Sequence, residues 1–334
     1  MPEVVTEKVP PTKLTVVYQT CRREPMAQWF FDSLNRECGG DYSNIKIVVV
    51  DFWCQYEPER TQSYYAKFWY SVPVIVPPMG NVWQGKERLT KDEYFAAANS
   101  RNTGICHALD GYIAFVDDIS VLMPGWLNQI HEAMAGHWIA CGAYRKVNKL
   151  VVENGEVKSL ENHPSGWDCR WRGGIPMTPQ PCGGGDMFGC SIAAPVEAFL
   201  GINGFDTDVD SMSGEDYIAG IMLAQAGWHL KYCRKMLTFE SEELHHVEPP
   251  LRRIIKKHVP GRSNFGEKDA SHAILNMVRG GRRTAPNYYG PGGLRAVRER
   301  VLAGEPMPVL RVPDRDWRDG QSLVGMGKDN DGCP

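Results

Sequence analysis

Gly111-Tyr-Ile-Ala-Phe-Val-Asp117-Asp118 is the stretch on which the fold turns. Its apolar residues run from Tyr112 to Val116 without a polar break, the pattern of a strand buried on both faces, and two carboxylates stand where it ends. Upstream, Ile45–Val50 is a second such run, ending in Asp51, and Lys13–Gln19 is a third, ending at Thr20–Arg23. Between these two, Met26, Trp29, Phe30 and Leu34 recur at helical spacing over Glu24–Cys38, and Gly39-Gly40 stops them. Strand, helix, strand predicts an α/β, Rossmann-like, mostly parallel sheet with helices on both faces. Ligands of such sheets bind beyond the carboxyl ends of the strands, so Thr20, Arg22 and Asp51 join Asp117 and Asp118 as candidate site residues.

The pattern continues downstream. Residues 56–90 are irregular and rich in aromatics and proline, and Lys91–Asn102 reads as a helix. Pro124 begins a helix that runs through Met134, Ile139–Tyr144 is a strand, and Asn154-Gly155 between apolar residues signals a hairpin turn within Leu150–Lys158. Residues 159–186 read as a long loop, too long for a passive connector. Met187–Ala194 is a strand, Pro195 opens a short helix, and Asn203-Gly204 turns the chain. Glu215–Ala226 is a helix stopped by Gly227, and His229–Cys233 is a last strand. Helical patches follow at Leu251–His258, Ser271–Arg279 and Leu294–Ala303. The predicted organisation is a leader over 1–12, a catalytic domain over 13–250 and a basic helical C-terminal extension over 251–334.

Composition narrows the class. With 43% apolar and 23% charged residues in 334, the chain is neither disordered nor collagen-like. Its longest apolar runs, Ile45–Val50 and Ser71–Met79, are too short to span a bilayer, and Met1–Lys13 lacks the apolar core of a secretory signal, which predicts a cytoplasmic protein. The ten cysteines form no CxxC pair and several lie in apolar runs, so they read as reduced thiols filling the core. The net charge of −3 conceals a division: residues 252–300 hold twelve Lys/Arg against Glu267, Asp269 and Glu299. That segment predicts contact with a polyanion, although a solvated helical face has the same composition. No P-loop, HExxH, GxSxG or GxGxxG pattern is present.

Adjacent carboxylates on a turn suit a hard divalent cation, which takes oxygen ligands and keeps substrate phosphate and water as others. A solvated turn or a helix cap ahead of Pro124 would use the same two residues. Their surroundings separate these readings. Ala97-Ala-Asn-Ser-Arg101-Asn102-Thr-Gly104, then the Asp117-Asp118 strand, then Met123-Pro-Gly-Trp126-Leu127 together resemble the central block of inverting GT-A glycosyltransferases of the family 2 type. Met187-Phe-Gly-Cys-Ser, Gly201-Ile-Asn-Gly-Phe-Asp206 and Gly214-Glu215-Asp216 resemble the second half of that family, with a galactosyltransferase-like GED helix start. The resemblance covers Lys13 to Val247.

The resemblance implies the GT-A (nucleotide-diphospho-sugar transferase) fold, a nucleotide-diphosphate sugar as donor and Mn²⁺ or Mg²⁺ at the diphosphate. It implies donor-binding roles for Asp51, Arg101 and Asp117, with Arg101 on the phosphates or buttressing Asp51; a surface ion pair is the other reading of Arg101. Asp118 and His246 would hold the metal, with His245 or His258 as alternatives to the histidine. The last carboxylate of the family's Asp-x-Asp is absent, since Ile119 follows Asp118. Asp216 would be the general base and Glu215 would orient the acceptor; acids in a first helical turn also simply favour the helix dipole. Trp167, Trp171 and Asp186 in the long loop are candidate acceptor contacts, the tryptophans stacking on a sugar or base, or anchoring the loop to the core. The acceptor stays open between a glycan, lipid or protein hydroxyl and a hydroxylated base in DNA. A non-catalytic nucleotide-sugar or nucleic-acid binding protein on the same fold is the alternative from another class.

Overall fold

The computed structural model describes residues 13–55, 57, 59–68, 73–79, 97–171, 176–207, 214–247, 275–276, 278–281, 285 and 289–307. Strands β1 (Lys13–Thr20), β2 (Ile45–Asp51), β3 (Val74–Val76) and β4 (Gly111–Asp117) lie parallel in the order β3-β2-β1-β4. Register aligns their carboxyl ends: Thr20 stands opposite Asp51, and Gln19 opposite Asp117. This half of the sheet follows from the three continuous apolar runs, because a strand covered on both faces has no polar side to show.

The other half changes direction. β9 (Ser191–Pro195) runs antiparallel to β4 and to β6 (Ile139–Glu153), and β10 (Leu230–Ser241) lies parallel to β6. β5 (Ser120–Leu122) and β8 (Gln180–Pro181) pair with β10, and β7 (Glu156–Trp167) pairs with β6. Alternation along β1 and β4 divides the core. Leu14, Val16, Tyr18, Tyr112, Ala114 and Val116 face α1 (Ala27–Cys38) and α3 (Trp126–Gly136). Val17, Ile113 and Phe115 face α2 (Ala97–His107), α4 (Val196–Gly201) and α5 (Glu215–Gln225).

Two strands exceed their sequence signal. β7 occupies Glu156–Trp167, where the sequence reads as the start of a long loop. The Asn154-Gly155 turn forms with both residues at positive φ, 50° and 73°, and the hairpin then continues past its polar and breaker residues. Pro164 and Gly166 hid it, and register shifts along β6 absorb them. β10 likewise runs on from Cys233 to Ser241 across Arg234-Lys235, with a register shift between Cys233 and Leu237. The first helix begins at Ala27 rather than Glu24, because Met26 before it is left-handed at φ 54°.

Of the C-terminal patches, 251–274 lie outside the described residues, as do 91–96 of the predicted Lys91–Asn102 helix. The last patch forms α7 (Gly293–Leu302), which docks on α2: Leu294 and Val297 enter the core beside it. Arg298, nearly buried, donates to the Ala108 carbonyl at 2.9 Å and to Asp110 at 2.7 Å. Arg295 pairs with Glu197. Two cations of the basic segment are therefore held by groups of the sheet domain. The nine described cysteines are free thiols, and no helix among the described residues is long and apolar enough to cross a membrane.

The glycine triplet Gly183-Gly184-Gly185 packs backbone-to-backbone on α5. A Cβ on Gly220 would run into the Gly184 carbonyl, and a Cβ on Gly184 into Gly220. Gly220→Ala should thus force the two elements apart and lower stability by about 1–3 kcal/mol, the range for overpacking, seen as a lower midpoint in thermal unfolding.

Candidate active site

α2 supplies the centre of the site. Ala98 through Cys106 are all buried, so this helix has no solvent face, and its arginine must find partners inside the protein. Arg101 is 2% exposed. Its Nη1 donates to Glu215 Oε1 at 2.5 Å and its Nη2 to Asp117 Oδ1 at 3.2 Å, while its plane stands 5.5 Å from the Phe205 ring. Asp117 closes β4 and Glu215 opens α5, so one guanidinium joins two clusters nearly a hundred residues apart.

The guanidinium needs room, and Gly189 provides it: a Cβ there would occupy the Arg101 position. The Gly189 N–H donates to Asp216 Oδ2 at 2.6 Å, and the Tyr217 N–H to Asp216 Oδ1 at 2.7 Å. Burial and the neighbouring Glu215 push the Asp216 carboxyl up to about 6, against the pull of Arg101 and the two backbone donors. Beneath them the Cys190 thiol is pushed up by its burial and by the carboxylates of Glu240, Asp117 and Asp216. Gly189 lies in the Met187-Phe-Gly-Cys-Ser stretch that carries the resemblance, but its role as the seat of Arg101 had no sequence signal, and Glu240, a lone acid in a strand, had none at all.

At the strand ends, Asp118 accepts from Thr20 Oγ1 at 2.7 Å and from Arg22 Nε at 3.3 Å. Arg22 also reaches the Leu244 carbonyl with Nη1 at 3.1 Å, which ties the Asp118 turn to α6 (Glu242–Val247), the helix that carries His245 and His246. The side chains of both histidines, and all of His258, lie outside the described residues. Among the described residues no three His, Cys, Asp or Glu side chains group as a metal cage. The chemistry of what is present fits a divalent cation in part: one carboxylate at the edge, and a histidine-bearing helix held to it through Arg22.

Asp51 lies deeper than the sheet edge suggests. It has no exposed surface, and its oxygens accept from the Trp53 N–H at 2.8 Å, Arg60 Nε at 2.6 Å and the Tyr65 hydroxyl at 2.8 Å. Arg60, rather than Arg101, buttresses it, and Arg60 also donates to the Arg22 and Arg23 carbonyls, holding the β1–α1 loop. Asp186 accepts the Gly183 N–H at 2.9 Å and so closes the glycine turn. Trp167 is 50% exposed at the end of β7, with Arg145 stacked 3.9 Å from its ring. Its register partner Arg145 and the adjacent Tyr144 point to opposite faces of β6, and Tyr144 packs on Phe188 next to Gly189. Trp167 therefore stands on the face away from Asp216; the Trp171 side chain lies outside the described residues.

One further arginine fixes the loop between them. Arg170, buried between the rings of Phe188 and Tyr232, grips Asp168 with two nitrogens at 2.8 and 2.7 Å. It also donates to the Gly142 carbonyl at 2.6 Å. It sets the segment that leads into Phe188-Gly189. Arg279 of the basic segment donates to the Tyr217 hydroxyl at 2.6 Å, one residue from Asp216.

The fold matches solved structures. GalNAc-T7 with UDP, GalNAc and Mn²⁺ superimposes with a TM-score of 0.52 at 11% identity, over 89% of this chain and 59% of that one. The fold is GT-A. TarS of S. aureus gives 0.45 at 12% identity over 81% of this chain and 43% of its own, and TarS 1–349 in complex with UDP-GlcNAc gives 0.46 at 11% over 87% and 71%. This chain thus spans less than half of full TarS and under two thirds of GalNAc-T7. No family model and no curated protein sequence matches it. On this GT-A sheet, Asp117, Asp118 and the Glu215-Asp216 pair all meet at the carboxyl edge of the parallel strands.

The raised Asp216 has a thermodynamic signature. The folded protein binds this proton more tightly than the unfolded chain, whose aspartates titrate near about 3.9, so stability falls as pH rises from about 4 to 6 and the deficit is complete above it. Asp216→Asn should therefore unfold at a higher temperature than the wild type at pH 7, and the two melting curves should converge near about pH 4.

Proposed function

We propose that this chain is an inverting glycosyltransferase that moves a sugar from a nucleotide-diphosphate sugar to an acceptor hydroxyl. The observation that carries this reading is the juxtaposition made by Arg101: the acid that ends β4 and the acidic pair that opens α5 share one guanidinium. In this reading Asp117 is the donor-side carboxylate, and Asp216, next to Glu215, is the base. The GT-A fold supports sugar transfer in general, and GalNAc-T7 and TarS, whose structures hold UDP or a UDP-sugar, make UDP-sugars the first donors to test.

Asp216 suits general-base work. With its titration near 6, it is mostly ionised at pH 7 yet basic enough to accept a proton as the acceptor oxygen attacks. The oxygen–anomeric carbon bond forms on the face opposite the diphosphate, the carbon–oxygen bond to the diphosphate breaks, and the hydroxyl proton passes to Asp216. Gly189 and Tyr217 hold the carboxylate in place with their N–H groups, and Glu215 accepts from Arg101 beside it. Asp117 is the carboxylate at the donor end, where Gln19 also donates to it. Asp118 and His246 would hold a divalent cation, which when bound neutralises charge on the departing diphosphate.

Two measurements test this. A panel of nucleotide sugars in thermal-shift assays with Mn²⁺ should identify a stabilising donor, and Asp118→Ala should remove the Mn²⁺-dependent part of that stabilisation while the protein stays folded. With the donor in hand, Asp216→Asn should keep donor affinity within about twofold and slow transfer by at least about 10²-fold, the low end of what a positioned base contributes. Normal turnover by Asp216→Asn would assign the residue to the start of α5 alone.

A further inference from the structure

Arg101 reads from the sequence as a ligand for donor phosphates, but a guanidinium with 2% of its surface exposed and two carboxylates on it is not open to a third anion. We propose instead that Arg101 is the positioning residue that couples the donor end of the site to its base end, with Gly189 as its seat. This rests on the glycosyltransferase reading for what the two ends do, though not for the coupling itself.

The geometry makes the coupling physical. Asp117 Oδ1 receives both Arg101 Nη2, at 3.2 Å, and Gln19 Nε2, at 2.6 Å, so the arginine holds it loosely and a stronger donor can displace it. At the other end Arg101 Nη1 holds Glu215 tightly, at 2.5 Å. Between them the guanidinium fills the space that a side chain at 189 would take, and the N–H of that same glycine holds Asp216. A shift of Arg101 along this line changes how fully Glu215 is neutralised, and Glu215 is the nearest like charge to Asp216. Among the described residues, the charged and titratable groups around Asp216 are Glu215 and Tyr217 on α5, Arg101 on α2, Cys190 below, and Arg279 through the Tyr217 hydroxyl. Of these only Arg101 also touches the donor-side carboxylate. Lysine cannot replace it, because a single ammonium lacks the planar fork that spans two carboxylates.

The test uses the intact chain with aspartate carrying ¹³C at the side-chain carboxyl, so that Asp216 is titrated by NMR without any turnover; Asp216→Asn assigns its signal. Arg101→Gln, which removes the charge, and Gly189→Ala, which displaces the guanidinium, should raise the Asp216 midpoint by about one pH unit or more, since an opposite charge at this range ordinarily moves a carboxyl by about 1–3 units. Glu215→Gln should lower it, because the like charge is gone. A role in packing alone would leave the midpoint in place whenever the variant folds, so unchanged midpoints in folded variants overturn the proposal. If both Arg101→Gln and Gly189→Ala fail to fold, Glu215→Gln decides through binding at the far end. Freed from Glu215, Arg101 turns wholly to Asp117, and the affinity for UDP with Mn²⁺ should fall at least threefold; an unchanged affinity overturns the coupling. Should the wild type bind no nucleotide at all, the functional reading fails while the NMR midpoints still judge Arg101.

Discussion

A cation buried on a helix with no solvent face has to be neutralised from inside, and Arg101 sets that constraint for this protein. Its charge is balanced by Asp117 and Glu215, and its bulk is accommodated by the missing side chain of Gly189. Each of these belongs to a different element. The end of β4, the start of α5 and the turn into β9 are consequently drawn to one point, and Asp216 is carried there by its neighbours.

Other buried ion pairs perform the same task at the margins. Asp51, Arg60 and Tyr65 lock the loop after β1, whose Thr20 and Arg22 hold Asp118. Asp168 and Arg170, between two aromatic rings, lock the approach to Phe188-Gly189. In both, the carboxylate is fully buried and accepts further donors, so its charge is spread over several hydrogen bonds. Charges of this kind specify position, because removing either partner leaves the other stranded in a medium that cannot solvate it. Several residues at the sheet edge therefore engage one another and act as the frame of the site.

The C-terminal segment belongs to this frame as well. α7 contributes Leu294 and Val297 to the core over α2, and Tyr289 accepts a hydrogen bond from Asn102, the residue after Arg101. Asn102 in turn holds Phe205 through its N–H and carbonyl, and Phe205 lies under the Arg101 guanidinium. Among the described residues of the segment, Arg295 and Arg298 make such internal contacts and Arg279 meets Tyr217 beside Asp216.

The sequence by itself determined the parallel half of the sheet and the location of its carboxylates. A strand covered on both faces must be continuously apolar, and the residue that ends such a run lies at the ligand-binding edge whatever the rest of the chain does. Asp117 and Asp118 were legible for that reason, Glu215 and Asp216 through the GED resemblance at a helix start, and the Asn154-Gly155 hairpin through positive φ values that only a few residues tolerate. The second half of β7 was not, because Pro164 and Gly166 break the local pattern and only pairing with β6 restores it. Nor could sequence distinguish an arginine that meets a ligand from one that meets two carboxylates, since both need the same side chain. Burial decides that, and burial is a property of α2 packed between the sheet, α5 and α7. The role of Gly189 likewise exists only in three dimensions: what matters there is an absent atom, and which group fills its place depends on a helix nearly ninety residues away.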